Sequence, residues 1–426
     1  MKKDDKEKQV NEKKDYKKIA NDFINKRVSF KVYELMLFAT LLIVMTIFLT
    51  YVIVKEVDSK GTYALNSSNI SKEDFKEFNE VYNLLKKDYY KKVNKEKLID
   101  GAINGMLSSL DDPHTSYFSK KETEEFNSLM QGSYEGIGAV VGMDENKNVY
   151  ISQIFKNSPA SEVGLKVGDI FKEVNKTNVE GKTSEEVVAL IKDGEVNPVN
   201  IKVLRNEEEL SFDIKKRIVE IESVESKVMN QNGIKIGYVI VNNFADNTYS
   251  QFKEQIESME KGNIKGLIID VRGNSGGYLH SVTSMIDMFL PKGEVIYQIA
   301  DRKKTNIFKD TTVESRNYPI CVLIDKASAS ASEILAISLK ESYDALVVGT
   351  TSYGKGTVQT TKDLKSGGMI KYTIQKWLSP KGNWINGKGV EPTNVVELSE
   401  EYKNDPKEEN DNQLSEALKL IENKNK

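Results

Sequence analysis

Two residue types that often build active sites are scarce in this sequence. Its 426 residues include one cysteine, Cys321, and two histidines, His114 and His280. A single cysteine excludes an internal disulfide framework, and its place in an apolar run favours a buried thiol. Histidine is the usual base of hydrolytic sites, so a site built on a histidine base is less expected in this sequence. CxxC and HExxH motifs are also absent, and we predict neither a metal nor another cofactor.

An excess of charge of one sign is absent as well. The sequence holds 61 Lys and Arg against 64 Asp and Glu, a formal net charge of −3. Bulk charge therefore gives no reason to expect nucleic-acid binding. The length is sufficient for roughly three domains.

One long apolar run stands near the N-terminus. Residues 35–54 carry no charge, and the Lys-rich segment 1–31 precedes them. A helix of about 20 such residues crosses a hydrocarbon core of ~30 Å. A cleaved signal peptide usually has a shorter apolar region and a small-x-small site, which is not found here. We predict an uncleaved transmembrane anchor at 32–54 in a bacterial cell membrane. The basic tail is then cytoplasmic, and the chain beyond the polar linker 55–70 is extracytoplasmic.

Helical periodicity dominates residues 71–130. Apolar residues recur at helical spacing over 71–90 and 94–110, and a short helix is expected over 122–130. Asp111-Asp112-Pro113 ends the second helix, because proline disfavours helix in the residue before it. His114 has no acidic or cysteine partner at a useful spacing. We therefore interpret it as a turn or surface histidine.

Short β-rich segments with glycine turns fill residues 131–217. The series includes the GIGA turn at 136–139, the SPA…GLKVGDI run at 158–170 and an amphipathic helix at 184–192. It resembles a PDZ domain of the kind found in proteases. The resemblance implies a peptide groove, in which a bound C-terminus adds as a strand and its carboxylate meets loop N–H groups. The implied peptide contacts are Gly136, Ile137, Gly138, Ala139, Val187 and Ile191.

Strands alternate with helices over residues 218–398, which predicts a mixed α/β core. Buried-type strands are expected at 234–241, 264–271 and 320–324, with helices between them. The tail 399–426 is charged. We expect it to fray, apart from one helical patch at 414–421.

The most distinctive stretch of the core is DKASASASE at 325–333. It places three serines between a strand and a helix. A helix start offers free N–H groups for a nearby negative charge, which suits a nucleophile. Ser330 to Glu333 also fits the S-x-x-E capping box, so an ordinary helix cap is the alternative.

Two further loops have candidate chemistry. The RGNSGG loop at 272–277 could direct backbone N–H groups at an anion or simply form a tight turn. The GTTSYGKG segment at 349–356 begins like a phosphate-binding loop, but Gly356 replaces the required Ser or Thr and a strand follows. Lys355 is then either an exposed turn residue or a general base. As a base it must be neutral, which requires its pKa to fall from about 10.4 toward 7–8. Period-2 geometry would place Gln359 on the same face as Lys355.

Together these motifs resemble the carboxyl-terminal processing peptidases, also called tail-specific proteases or the Ctp family. The resemblance extends over about residues 71–398 and includes LIDGAINGMLSSLDDPHTSY at 98–117, DVRGNSGG at 270–277 and INGKGVEP at 385–392. It implies a ClpP/crotonase-like serine-protease core, with Ser330 as nucleophile, Lys355 as base and Gln359 as the residue that orients the lysine. Oxyanion donors would be the N–H groups of Gly276 and Ala331.

Some positions depart from the family pattern. Lys192-Asp193-Gly194 stands where Arg-Gly is often found, and Thr393 stands where Asp is common. His280 follows the Gly-rich loop, but the family has no catalytic residue there, and we interpret it as incidental.

The sequence thus predicts a membrane-anchored serine endopeptidase that binds protein substrates through their free C-termini. The helical region could pair two copies, as in some relatives. The alternatives are a catalytically inactive PDZ adaptor and a non-proteolytic serine hydrolase.

Overall fold

The structure, a computed structural model, describes residues 72–426. The predicted tail, anchor and linker at 1–31, 32–54 and 55–70 lie outside the described residues. Within residues 72–426, no helix is both long enough and apolar enough to cross a membrane. The chain divides into two compact units, residues 1–98 and 99–426.

Helix α1 (Lys72–Asp88) lies in the first unit, and α2 (Lys95–Ser108) begins there. Both confirm the helical periodicity. Acidic residues start α1 and lysines end it, an arrangement that complements the helix dipole. Large apolar side chains are exposed on or just after α1: Phe75, Phe78, Val81, Leu84, Leu85, Tyr89 and Tyr90.

The second unit opens with strand β1 (Ser116–Phe118) and helix α3 (Lys120–Gln131). Ser119 and Glu122 form a capping box at the start of α3, so this helix begins two residues before its predicted start. Gly132 ends it in the left-handed conformation, with φ of 67°.

The predicted PDZ region forms its own sheet and its own core. The sheet has the strand order β3-β4-β5-β7-β8, with β6 paired to β5 and with β2 and β9 forming a separate pair. The predicted helix at 184–192 is confirmed. The strands are β2 (Ser133–Gly136), β3 (Ala139–Met143), β4 (Val149–Ile154), β5 (Ile170–Val174), β6 (Thr177–Asn178), β7 (Val199–Arg205), β8 (Glu208–Ile214) and β9 (Arg217–Glu220). The helices are α4 (Pro159–Glu162) and α5 (Ser184–Lys192).

A six-stranded sheet forms the centre of the remaining chain. Its order is β10-β11-β12-β15-β16-β19; only the β10–β11 pair is antiparallel. Helices lie between β11, β12, β15 and β16 in chain order, as the alternation predicted, whereas β16 is followed by two further strands before β19. The strands of this region are β10 (Val224–Gln231), β11 (Ile234–Val241), β12 (Gly266–Asp270), β13 (Val295–Ala300), β14 (Thr305–Lys309), β15 (Ile320–Ile324), β16 (Leu346–Gly349), β17 (Thr357–Asp363), β18 (Met369–Leu378) and β19 (Asn394–Val395). The helices are α6 (Thr248–Lys261), α7 (Leu279–Asp287), α8 (Ala331–Ser342), α9 (Glu400–Asn404), a 3-10 turn (Glu408–Asn410) and α10 (Asn412–Lys424).

Two hydrophobic clusters cover the two faces of this sheet. On one face α6, α7 and α8 pack over strand residues such as Ile269 and Val322. On the other face α10 packs over Ile268 and Cys321, with the cysteine fully buried as predicted. Strands β13, β14, β17, β18 and β1 form a second sheet beside the central one.

The expectation of a frayed C-terminal tail is wrong. Helix α10 runs from Asn412 to Lys424, and its apolar face fits the second face of the central sheet. The residues that it buries there are Leu414, Ala417, Leu418 and Ile421. Without α10 the apolar residues on that sheet face would be exposed to water.

Candidate active site

Three loops meet at one edge of the central sheet. They are the Gly-rich loop 272–277 after β12, the serine loop 325–330 after β15 and the lysine loop 350–356 after β16. Parallel strands bring their carboxyl ends to the same edge, which is where open α/β sheets place their sites. The Gly273 N–H of the first loop donates to Asp325 Oδ1 of the second at 2.9 Å. The Tyr353 N–H of the third donates to the Ser328 carbonyl of the second at 3.0 Å. The Gly-rich, serine and lysine loops are therefore in direct contact.

The three serines of the second loop differ in what their hydroxyls do. Ser328 Oγ donates to the Val271 carbonyl and Ser332 Oγ donates to the Asn274 carbonyl, each at 2.8 Å. Both serines are 0% exposed. Ser330 is partly exposed. The outer two serines thus tie the loop to the Gly-rich loop, and Ser330 is the one that reaches the surface of the site.

The backbone of Ser330 has an unusual conformation. Its φ is 55° and its ψ is −111°, whereas an N-cap residue is normally extended. Such a conformation costs of the order of 1–3 kcal/mol in a residue other than glycine. A strained strand-to-helix turn is the device that presents a nucleophilic serine in other hydrolases. Helix capping alone gives no reason for this strain, although Glu333 Oε2 does accept the Ser330 N–H as in a capping box.

Gly276 packs directly against Ser330. Its φ is 107°, and a Cβ added there would lie 2.9 Å from Ser330 Cβ and 2.8 Å from the Ala329 carbonyl oxygen. Only glycine permits this approach. The Gly276 N–H donates to Asn274 Oδ1 at 2.8 Å in this structure. Its oxyanion role stays a prediction, and it would require that bond to break or to be shared. The Ala331 N–H opens α8 and has no partner within the helix.

Glu333 links the serine loop to the lysine loop. It is 0% exposed, and its Oε2 accepts hydrogen bonds from the backbone N–H groups of Ser330 at 2.8 Å and Lys355 at 2.9 Å. Its Oε1 accepts from the Gly354 N–H and from Ser352 Oγ, both at 2.6 Å. One carboxylate thus fixes the backbones of the predicted nucleophile and base. The sequence showed Glu333 only as a capping-box residue, because its contacts with the lysine loop are tertiary.

The lysine loop is also held from its other side. The Trp377 indole N–H donates to the Lys355 carbonyl at 2.8 Å, and the Gly356 N–H donates to Asn386 Oδ1 at 3.0 Å. The Gly387 N–H donates to the Gly354 carbonyl at 2.9 Å. Trp377 and the INGKGVEP segment therefore hold this loop in place through hydrogen bonds.

Lys355 is not an exposed turn residue. It is partly buried, and burial lowers the pKa of its ammonium, with a further lowering from the charge of Lys371. The negative charges of Glu333 and Asp112 act in the opposite direction. Lys371 lies over the rings of Phe118 and Phe126, with its Nζ 5.4 and 5.7 Å from their centroids. The surroundings therefore shift the pKa of Lys355 in the direction that a general base requires.

Gln359 lies on β17 but Lys355 does not, so the predicted placement of the two side chains on one face stays a prediction. The strand begins only at Thr357, and a register shift separates Val358 from Gln359. Gln359 Nε2 donates to Thr357 Oγ1 at 2.9 Å and to Thr373 Oγ1 at 3.1 Å. Within residues 72–426 we find no hydrogen bond between Gln359 and Lys355.

The interpretation of His114 as a turn residue is confirmed, and the structure adds contacts that a turn alone does not imply. His114 is partly buried, its ring centroid is 6.4 Å from that of Tyr353, and Asp112 Oδ1 accepts its backbone N–H at 3.0 Å. Burial lowers its pKa first, and the charge of Lys355 lowers it further. The DDPHTS turn is thus part of the site, which its local sequence could not reveal. His280, by contrast, is exposed and pairs with Asp246 at 2.8 Å.

Comparison with known proteins identifies the family. The sequence model of peptidase family S41 matches residues 235–396, a PDZ-domain model matches residues 136–215, and the model of the activating protease CtpB N-terminal domain matches residues 43–123. The carboxy-terminal processing protease CtpB of Bacillus subtilis is 40% identical over 344 residues, which are 80% of this chain and 70% of that protein. The chain belongs to peptidase family S41. The resemblance found in the sequence is thereby confirmed.

Two other known proteins are similar to most of this chain. A probable CtpA-like serine protease of Staphylococcus aureus (strain COL) is 33% identical over 378 residues, 88% of this chain and 74% of that protein. The solved photosystem II D1 C-terminal processing protease is 25% identical, with 75% of this chain and 86% of that chain covered and a TM-score of 0.44. As an S41 member, the chain is a serine-type C-terminal processing peptidase with a PDZ domain.

The predicted peptide groove of this S41 member lies between β3 and α5. Strand β3 is at the edge of the PDZ sheet, so one side of its backbone is open to an added strand. Gly138, before β3, has φ of 77° and packs against Ser158. Val187 and Ile191 of α5 are 0% and 5% exposed and belong to the domain core. A peptide contact through these two would require the groove to open, and all six contacts stay predictions.

Metal binding finds no support in the described part of the chain. Residues 72–426 contain no group of three or more His, Cys, Asp or Glu side chains arranged to hold an ion. The sequence-based expectation of a peptidase without metal stays a prediction.

Proposed function

We propose that this S41 peptidase cleaves peptide bonds with Ser330 as nucleophile and Lys355 as general base. The observation that carries the proposal is that Glu333 Oε2 accepts a hydrogen bond from both backbones, at 2.8 and 2.9 Å. The strained backbone of Ser330 and the lowered pKa of Lys355 add support, because they suit an exposed nucleophile and a neutral amine.

The proposed reaction balances without a cofactor. Ser330 Oγ attacks the substrate carbonyl carbon, and Lys355 Nζ takes the proton of the Ser330 hydroxyl. The C–N bond then breaks, and the Lys355 ammonium returns the proton to the leaving amine. Water attacks the acyl-enzyme, Lys355 accepts a proton from that water, and the Ser330 hydroxyl is restored as the new C-terminus leaves. The Ala331 N–H would face the developing oxyanion, a contribution of about 10²–10³ in rate for a well-placed donor.

The test is cleavage of casein by the purified full-length chain beside Ser330→Ala and Lys355→Ala. We expect each substitution to reduce the rate by about 10³-fold or more, because nucleophile and base act as a unit. Ser250→Ala and Lys362→Ala, both at exposed positions, are the controls. Cleavage by Ser330→Ala at the wild-type rate would refute the dyad. Hydrolysis of esters but not of casein would instead favour a non-proteolytic hydrolase.

We further propose that the PDZ domain binds substrates by their free C-termini. The open edge of β3 and the glycine turn before it support this, since both offer backbone N–H groups to an extended peptide and its carboxylate. Binding of a labelled apolar peptide to the full-length Ser330→Ala protein should weaken at least about 10-fold when the C-terminus is amidated. Equal affinity for the acid and the amide would exclude carboxylate recognition.

Attachment to the bacterial cell membrane is proposed from sequence alone. Residues 35–54 are long and apolar enough to span it, and the lysines before them favour a cytoplasmic N-terminus. The full-length chain should therefore stay in the membrane fraction after alkaline carbonate extraction, with its catalytic region digested by protease added outside the cell. Release by carbonate would exclude a spanning anchor.

Pairing of two copies is proposed from the exposed apolar side chains of α1. Phe75 and Phe78 are 48% and 44% exposed, and contiguous apolar surface of this kind commonly marks an interface. Light scattering of the full-length chain should give the mass of two chains, and Phe78→Asp should reduce it to one. A single-chain mass for the wild-type protein would reject this pairing.

A further inference from the structure

The side chain of Asn274 holds one backbone amide of the Gly-rich loop. Asn274 is 1% exposed, and its Nδ2 donates to the Val241 carbonyl at 2.7 Å. Its Oδ1 accepts the Gly276 N–H at 2.8 Å. A carbonyl can only accept and an N–H can only donate, so these two partners fix which way the side-chain amide faces. The Gly276 N–H is therefore satisfied by a buried partner before any substrate binds.

The next amide of the loop, that of Gly277, has no such partner. Gly277 is exposed, and within residues 72–426 we find no hydrogen bond from its N–H. The Gly276 carbonyl accepts the Phe244 N–H at 3.1 Å, and the Phe244 carbonyl accepts the Tyr278 N–H at 2.6 Å. The C=O and the N–H of a trans peptide point in opposite directions, so the Gly277 N–H points away from Phe244.

The side away from Phe244 is the side of the serine loop. In the central sheet β12 lies between β11 and β15. Phe244 follows β11 and Ser330 follows β15, so the loop after β12 has these two residues on opposite sides. A Cβ added to Gly276 would lie 2.9 Å from Ser330 Cβ and 3.1 Å from the Ala331 N atom. The peptide unit between Gly276 and Gly277 therefore borders the proposed nucleophile.

Two backbone donors thus lie beside Ser330 without a partner in the described part of the chain, the N–H groups of Gly277 and Ala331. We propose that Asn274 is a positioning residue, which keeps the Gly276 N–H buried and so turns the Gly277 N–H toward the substrate carbonyl oxygen. Gly277 then takes the oxyanion role that the family resemblance implied for Gly276. A donor that needs no bond to break is already organised for the transition state. The inference rests on the proposed role of Ser330 as nucleophile.

The first experiment measures casein cleavage by full-length Asn274→Ala. Without its anchor the loop misdirects the Gly277 N–H, so kcat should fall by about 10- to 100-fold while KM changes less than about 3-fold. If Gly276 were the donor, the same substitution would free its N–H for the oxyanion, and kcat would stay at the wild-type value or rise. That result would overturn the inference. Asn317→Ala, at an exposed position, is the control and should cleave at the wild-type rate.

A pair of ligands separates positioning from general damage to the site. A peptide aldehyde with the sequence that precedes the fastest casein cleavage forms a hemiacetal with Ser330, and its oxygen occupies the oxyanion position. The peptide alcohol of the same sequence binds without forming that bond. Asn274→Ala should weaken binding of the aldehyde by the same factor as kcat/KM, and binding of the alcohol by less than about 3-fold. Equal weakening of both ligands would show general damage and would overturn the inference.

A backbone substitution tests the Gly277 N–H directly and changes no side chain. Glycolic acid, incorporated at position 277 by cell-free translation of the full-length chain, replaces this N–H by an ester oxygen. We expect kcat to fall by about 10²–10³-fold. The same replacement at Gly181, an exposed glycine of the PDZ domain, is the matched control and should leave kcat unchanged.

The ester at 277 also tests the link to Asn274. Adding Asn274→Ala to that ester should lower kcat by less than about 2-fold more, because the donor that Asn274 orients is gone. Losses that multiply in full would overturn the link. If Ser330→Ala cleaves like the wild type, the proposed dyad is at fault. If Ser330→Ala is inactive and the ester at 277 cleaves at the wild-type rate, only the roles of Asn274 and Gly277 fail.

Discussion

At the scale of single residues, the site depends on side chains that touch no reacting atom. Glu333 accepts four hydrogen bonds, three from backbone N–H groups and one from Ser352. A buried carboxylate with this many donors stabilises one arrangement of the loops around it, because each lost bond would leave a buried polar group unpaired. The relative position of the Ser330 and Lys355 backbones is therefore fixed by a buried side chain of α8.

Lys371 gives a prediction about pH. Its charge is a secondary cause, after burial, of the lowered pKa of Lys355. Lys371→Met removes that cation, so the pKa of Lys355 should rise and more of the amine should be protonated at neutral pH. The acid limb of the kcat/KM profile should then move to higher pH, while the rates at alkaline pH approach those of the wild type.

The control for this prediction is Lys362→Met on the same hairpin. It removes the same charge from an exposed position. Its acid limb should coincide with that of the wild type. An acid limb of Lys371→Met that stays in place, or that moves to lower pH, would contradict the electrostatic role of Lys371.

At the scale of elements, the C-terminal end of α7 carries an unfavourable carboxylate. Burial, and then the charge of Asp310, raise the pKa of Asp287 to about 6. Asp287 Oδ1 and Asp310 Oδ2 are both buried without a hydrogen-bond partner. A negative charge at the end of a helix also opposes the helix dipole. This end of α7 therefore loses stability when Asp287 ionises.

Asp287→Asn should stabilise the protein at neutral pH. A raised carboxyl pKa means that the folded state holds the proton longer than the unfolded state, so stability falls as pH rises from about 4 to about 6 and stays low above that. The substitution removes this loss and gives an amide that can donate to Asp310. We expect a gain of about 1–2 kcal/mol in unfolding free energy at pH 7.5, and a smaller effect at pH 4.5.

Urea denaturation at both pH values checks the effect of Asp287→Asn. Asp363→Asn, at an exposed position of β17, is the matched control and should leave the unfolding free energy unchanged at both. A gain that is as large at pH 4.5 as at pH 7.5 would show that the cause is not ionisation.

Strands with a nearly continuous run of apolar residues could be predicted from the sequence, and strands without such a run could not. The largely apolar strand β11 and the fully apolar strand β15 lie at their predicted bounds, because burial on both faces requires a nearly continuous run of apolar residues. Strands β10 and β14 were not predicted, since each is largely exposed and its residues carry no such run. The same limit applies to the site. Ser330, Lys355 and Gln359 were predicted from motifs, whereas the hydrogen bonds of Glu333 to the lysine loop join residues distant in sequence.

At the scale of the whole second unit, the C-terminal segment belongs to the protease core. Arg272, at the start of the Gly-rich loop, pairs with Asp270 at 2.6 Å and with Asp411, the N-cap of α10, at 2.8 Å. Burial alone would lower the pKa of its guanidinium, but the hydrogen bonds and charges of these two carboxylates outweigh burial and raise it. The tail is thus tied to the same loop that packs against Ser330. The charged composition of the tail gave no sign of this contact. The apolar side chains of α10 pack against the central sheet, which is built from residues distant in sequence.

The role of α10 can be tested at Ile421. This side chain is 0% exposed and lies against Gly266, where an added Cβ would be 2.3 Å from Ile421 Cγ2. Ile421→Ala should lower the unfolding free energy by about 2–5 kcal/mol, the cost of a cavity in a packed core. Lys419→Ala, on the exposed side of the same helix, should change it by no more than about 0.5 kcal/mol. Urea denaturation of both variants in the Ser330→Ala background avoids self-cleavage. Equal stability of the two would mean that the tail is frayed in solution, and the sheet face under α10 would then have to be covered by something else.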